Sequence, residues 1–334
     1  RRTYLRGAVE SVLSQTLPRS DYETVVLKDF ADPEIDAWLR TLGPSVRNVT
    51  EELPEVGQML ARGAALARGE VICFLDDDDR FRPEKLAGLR ALFRDDPTLG
   101  LVRNAYDPVD SDGRPLPSWQ RFRPQPPTSA TWGPGHGRVA FPWLHRYGGY
   151  VNLSSMAIRT GLARRWTRWL EQVPASTDVV LFTLALASAV GVRVDSARWT
   201  EYRVHSSTSH PTIADLGDPA YLREFRRSLA SASLLRSAVA SVAPPPDATR
   251  LSDSWWLETA TVVFLLDPSA RLAPADWVRL AVSAFRRRQA YLGTMWLYCL
   301  YRWVRPLEAA RAYGARRSEE LRRSAGRAST PGGP

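Results

Sequence analysis

The sequence predicts an α/β protein, a mostly parallel sheet flanked by helices, with a helical C-terminal extension. Three observations carry the prediction. Strand and helix signals alternate through the first hundred residues, and Val71-Ile-Cys-Phe-Leu75 among them is a continuous apolar strand. Beyond about residue 215 the strand signals give way to Ala-, Arg- and Trp-rich helical patterns.

Taken in order, Tyr4, Leu5, Ala8, Val9, Val12 and Leu13 are spaced as one buried helix face. Glu23-Thr-Val-Val-Leu27 reads as a short strand, and Pro33 to Leu42 as a helix with Pro near its start. Val56 to Ala67 is helical and stops at Gly69. The strand Val71–Leu75 runs into Asp76-Asp-Asp-Asp79, after which Pro83 opens a helix over Glu84 to Phe93. Gly100 to Asn104 reads as a strand and Asp110 to Gly113 as a turn. From Pro115 to Pro142 there are seven prolines and no periodicity, the signature of a long structured loop. Strand character returns at Val151 to Ile158, a helix covers Asp178 to Ala189, and two strand segments follow at Val192–Val194 and Trp199–His205.

At 334 residues, 44% of them hydrophobic, the chain is long enough to bury a sizeable core and too apolar to be disordered. Two cysteines, Cys73 and Cys299, exclude a disulfide scaffold and a Cys-rich zinc site, and point to a reducing, cytoplasmic compartment. The net charge of +9 is concentrated: residues 286–327 hold 11 Arg against three acids. The remainder is nearly neutral, so no nucleic-acid partner is expected. No apolar run reaches the roughly 18 to 20 residues that span a bilayer.

The four-aspartate run is the strongest chemical signal. Carboxylates delivered to the C-terminal end of a strand repel one another, and a hard cation with phosphate oxygens relieves that repulsion. An acidic turn capping the next helix is the competing reading. A prenyl-transfer DDxxD motif fails because Arg80 stands where the final Asp belongs, and a phosphatase-type DxDx[TV] fails at Asp79 and Arg80. Asp178 opens an apolar helix, as an N-cap or as a functional acid. His205 ends Glu201-Tyr-Arg-Val-His205 as a structural or a site residue.

The order of these pieces resembles the family 2 glycosyltransferases, which have the GT-A fold. Arg1-Arg-Thr-Tyr-Leu-Arg-Gly-Ala-Val-Glu-Ser-Val-Leu-Ser-Gln-Thr16 is similar to that family's first helix. Gly63, Ala67, Gly69 and Glu70, then Phe74-Leu-Asp-Asp-Asp-Asp79 with Pro83-Glu-Lys-Leu86, resemble the segment around its DxD motif. Thr177-Asp178 and Tyr202-Arg-Val-His205 with Ser209 fall where the family has ED and YR.H..S. The resemblance implies a GT-A Rossmann-like sheet over residues 1–212, an N-terminally truncated domain whose first strand precedes Arg1, a helical region over 213–323 and a disordered tail over 324–334.

It also implies an inverting hexosyltransferase-like enzyme of class EC 2.4, using a UDP-, GDP- or dTDP-sugar and a glycan, polysaccharide or lipid-linked acceptor. Asp178 would be the catalytic base. Asp29, Asp76, Asp77, Arg203 and His205 would bind the donor, and Asp76, Asp78 and His205 would hold Mn²⁺ or Mg²⁺. Three departures, the absent first strand, Lys28 in place of an acid and Thr177 in place of Glu, motivate the alternative of a non-catalytic nucleotide- or sugar-binding relative. They also suggest that Lys28 meets a phosphate or alters nucleotide choice. The aromatic segment within 286–305, basic at both ends, fits a helix lying peripherally on the inner face of a membrane or one packing on protein.

Overall fold

The computed structural model describes residues 2–116, 124–138, 140–204, 219–267, 269–285, 298–300, 302 and 312–313. Helix α1 (Arg2–Leu13) leads to strand β1 (Thr24–Lys28), helix α2 (Pro33–Thr41) and strand β2 (Val46–Thr50). Asp32 caps α2, its Oδ1 accepting the Ile35 N–H at 3.1 Å, and Pro33 follows where a missing N–H costs nothing. Helix α3 (Val56–Leu66), strands β3 (Val71–Cys73) and β4 (Arg80–Phe81), and helix α4 (Lys85–Asp95) come next. Strand β5 (Leu99–Val109), strand β6 (Ala130–Trp132) and helix α5 (Phe141–Tyr147) precede strand β7 (Met156–Arg159). Short helices α6 (Thr160–Arg165) and α7 (Thr167–Leu170) then lead to helix α8 (Thr177–Ala187) and strand β8 (Gly191–Arg203). Helices α9 (Pro219–Ala240), α10 (Pro246–Leu266) and α11 (Pro274–Phe285) form the described C-terminal part.

The architecture is the expected mixed α/β sheet flanked by helices, but its parallel share is smaller than the sequence suggests. β1 and β2 form a parallel pair of their own. The larger sheet has the order β3-β7-β5-β8-β4, with β6 also on β8. There only β5–β8 is parallel, and the other four pairings are antiparallel. The alternation in the first hundred residues does not continue. The short strands β4 and β6 come from the aspartate-rich turn and the proline-rich loop, and each pairs antiparallel on β8. Val192–Val194 and Trp199–His205 are not separate strands: through Arg203 they are one long strand, with register shifts against β5 where Asp195 and Arg198 face Asn104 and Ala105. Val151 to Ser155 is a turn, not a strand start.

α8 is buried on nearly every side, which is why its sequence is apolar all round rather than striped. It packs against β5 and β8 on one side and α9 and α10 on another. Leu235, Ala238, Val239, Ala248 and Leu251 of the two C-terminal helices belong to the same apolar core as Leu101, Phe182 and Val194. Among the described residues no helix is long and apolar enough to cross a membrane. His205, the segment 286–297 and the tail 324–334 lie outside the described residues.

Candidate active site

β3 stops at Cys73, and the aspartates follow in a loop that the rest of the fold holds by its backbone. The Asp76 N–H donates to Ser154 Oγ at 2.9 Å, and the Asp79 N–H to the Asp76 carbonyl at 3.3 Å. The four carboxylates are not equivalent. Asp76 is exposed and Asp77 and Asp78 are half-buried, whereas Asp79 is buried, its Oδ1 accepting the Arg203 N–H at 2.8 Å. Burial holds the Asp79 carboxyl well above the usual carboxylate range, and the charges of Asp76 and Asp78 raise it further. Tyr202 is raised by burial, then by Asp79, Tyr106, Asp78 and Asp76.

Arg203 is an anchor for this loop. Its Nε donates to the Asp78 carbonyl at 2.8 Å, and its Nη1 to the carbonyls of Asp110 and Ser111 at 3.0 and 2.8 Å. Its guanidinium also lies over the Tyr4 ring, 4.6 Å from the centroid. One side chain thus joins the aspartate loop, the 110–113 turn and α1.

Asp178 stands in the first turn of α8, preceded by Ser176 in a left-handed conformation (φ 56°). Its Oδ2 accepts the Asn152 N–H at 2.9 Å, and its Oδ1 the Val179 N–H at 2.8 Å. Asn152 is itself left-handed (φ 73°), and its Oδ1 accepts the Ser154 N–H at 3.0 Å. Two such conformations in non-glycine residues cost about 1–3 kcal/mol each and tend to gather at functional sites. The 152–154 turn therefore reaches the helix acid with one end and the aspartate loop with the other.

Two buried cations lie beneath this turn, and neither was singled out from the sequence. Lys85 donates to the Ser154 carbonyl at 2.5 Å and to Thr200 Oγ1 at 2.9 Å; burial pushes it down to about 7. Arg103, on β5, is fully buried, and burial pushes it down to about 10, which leaves it cationic at neutral pH. Its Nε and Nη1 make long contacts of 3.4 Å, to the Val151 carbonyl and to Gln125 Oε1, and its Nη2 is buried with no hydrogen-bond partner. Asp178 is among the charges that act on it. A charged residue inside Leu101-Val-Arg-Asn-Ala105 is the signal that could have exposed it.

The remaining predicted residues are placed differently. Asp29 is exposed just after β1, on the smaller sheet. Lys28 corrects an expectation: it does not face a ligand. It is buried, its Nζ 2.8 Å from Asp36 Oδ1 and donating to Thr50 Oγ1 at 2.7 Å and the Phe30 carbonyl at 2.9 Å. Its charge is consumed within the β1–β2 unit. Asp76 and Asp78 fit a hard divalent cation by donor type, and their negative charges raise the neighbouring Asp79 carboxyl. Among the described residues no three His, Cys, Asp or Glu side chains converge as a metal site.

The model of glycosyl transferase family 2 matches residues 1–146. Over this stretch, less than half of the chain, the sequence is similar to glycosyl transferase family 2. An uncharacterized glycosyltransferase of Nostoc sp. is 29% identical over 117 residues, covering 34% of this chain and 35% of its own length. The match thus spans about a third of that relative. Among solved structures, S. aureus TarS 1–349 in complex with UDP-GlcNAc is similar over 97% of this chain and 88% of that one, at 15% identity and a TM-score of 0.54. The same protein in complex with UDP aligns over 90% and 88%, also at 15% identity, with a TM-score of 0.50. These likenesses show the fold. The fold is of the GT-A type, and the aspartate loop lies within the stretch that the glycosyltransferase family model covers.

Proposed function

We propose that this chain is an inverting, metal-dependent glycosyltransferase, moving a sugar from a UDP-, GDP- or dTDP-linked donor to an acceptor hydroxyl. The observation that carries the reading is the shared 152–154 turn, which holds Asp178 through Asn152 and the Asp76 backbone through Ser154. A proton acceptor and a cluster of cation-seeking carboxylates are thereby built on one turn. Asp178 takes the proton of the acceptor hydroxyl as that oxygen bonds to the anomeric carbon. The bond from that carbon to the diphosphate breaks, its electron pair leaves with the diphosphate, and the centre inverts. Asp76 and Asp78 would hold Mn²⁺ or Mg²⁺, which supplies charge stabilisation to the departing diphosphate. Asp29 contacts the nucleoside and Asp77 lines the donor site, while Arg203 serves it by anchoring the loop. His205 would complete the metal and diphosphate contacts. A glycan, polysaccharide or lipid-linked acceptor fits, the last through membrane contact of the basic-flanked segment 286–305.

Calorimetry with UDP-, GDP- and dTDP-sugars, with and without Mn²⁺, tests this. Binding should require metal and vanish in Asp76→Ala/Asp78→Ala. Asp178→Asn should bind donor normally and transfer almost nothing. Full transfer by that variant removes Asp178 from the mechanism, and a folded protein that binds no donor overturns the reading.

A further inference from the structure

The buried guanidinium of Arg103 makes only two long hydrogen bonds among the described residues, and one of its nitrogens has no hydrogen-bond partner. Burying a cation so incompletely paired is costly, and an apolar side chain of similar size would ordinarily serve the core better. Its contacts show what the position does. Nε points to the carbonyl oxygen of Val151, and the N–H of the same peptide unit, on Asn152, donates to Asp178 Oδ2. A cation sits at the negative end of this peptide dipole and a carboxylate at its positive end. Both orientations are favourable, and hydrogen bonds in such a chain polarise and strengthen one another. The left-handed backbone of Asn152 aims the N–H at the carboxylate.

We propose that Arg103 is a positioning residue for Asp178: acting through the Val151–Asn152 peptide, it fixes the carboxylate's orientation and holds it ionised. Other titratable groups around the peptide are committed elsewhere. Lys85 on α4 is bound to the Ser154 carbonyl and Thr200. Tyr106 lies under the Arg103 guanidinium and beside Tyr202 of β8, and Asp79 accepts the Arg203 N–H. Gln125, from the proline-rich loop, accepts from Arg103 Nη1 and from the Tyr106 N–H at 3.1 Å, so this loop is tied to the same cation. The inference rests on the reading of Asp178 as base, but its first test does not need turnover.

The side-chain carboxyl carbons of ¹³C-aspartate-labelled protein are titrated by NMR, with the Asp178 signal assigned by its loss in Asp178→Asn. Arg103→Met should raise the Asp178 midpoint by about one pH unit, and Arg103→Lys by less. In turnover with UDP-, GDP- or dTDP-sugar donors, kcat of Arg103→Met should fall about tenfold or more with donor KM little changed, and the acid limb should move with the midpoint. An unmoved midpoint in folded Arg103→Met overturns the proposal. Should that variant not fold, an unmoved midpoint in Arg103→Lys does so. A shifted midpoint together with undiminished turnover in Asp178→Asn would instead sink the base assignment and leave the coupling standing.

Discussion

Asp178 and Asp76 are bound to opposite ends of one three-residue turn. The Asn152 N–H reaches Asp178 Oδ2 at 2.9 Å, and Ser154 Oγ accepts the Asp76 N–H at the same distance. Inside the turn Asn152 Oδ1 accepts the Ser154 N–H, so a shift at one end is passed to the other. The helix that carries the acid and the loop that carries the carboxylates are thus linked through this turn.

Ser154→Ala removes, from a fully buried serine, the acceptor for the part-buried Asp76 N–H. The orphaned donor costs about 1–3 kcal/mol, and the loop loosens. Mn²⁺-dependent donor affinity should drop about tenfold, together with thermal stability. Calorimetry that finds metal-dependent binding unchanged would show that something else holds the loop.

Arg203→Lys puts one compact amine where a planar guanidinium serves three carbonyls. Stability should fall by about 2–3 kcal/mol and donor binding should weaken in parallel. Loss of donor binding at unchanged stability in urea titrations would return Arg203 to direct contact with the diphosphate.

Lys85 predicts a pH dependence. Its pKa falls from an ordinary 10.5 to about 7, so between these values the unfolded chain binds a proton that the folded chain does not. Its contribution to stability is therefore complete above 10.5 and lost as pH falls through 7. Cys73, pushed by burial up to about 11, acts in the opposite direction above 9. Between pH 7 and 9 the Lys85 term should add about 2–3 kcal/mol, and Lys85→Met should flatten that rise. Denaturant unfolding at several pH values checks it; an equally steep rise in the variant would assign the dependence to another group.

Lys28→Met should leave nucleotide preference unchanged and destabilise the β1–β2 unit by about 1–3 kcal/mol, because Asp36 then loses the cation that holds its carboxyl low. Lys28→Met/Asp36→Leu should recover much of that loss. A changed donor preference in the single variant would place Lys28 in the donor site after all.

Much of this was legible in order along the chain. The apolar strand before Asp76, the capped helix at Pro33, the apolar helix after Asp178 and the spacing of the aspartates are local patterns, and each stands close to where it was expected. β2 escaped because Val46-Arg-Asn-Val-Thr50 is short and carries Arg47 and Asn48, so its apolar signal is weak. The turn at Val151–Ser155 escaped because residues with strand propensity take a conformation set by their partners, with Asn152 left-handed against Asp178.

By itself the sequence determined the class of fold, the family resemblance and which acids to propose for the chemistry, because periodicity and motif order are properties of neighbouring residues. Only the tertiary structure decided which aspartate turns inward, that Lys28 and Arg203 serve the protein's own groups, and that Arg103 lies one peptide away from Asp178. Most of those contacts join residues tens of positions apart, and burial fixes their charges and partners. No local pattern records how deeply a side chain will be buried or what will then surround it.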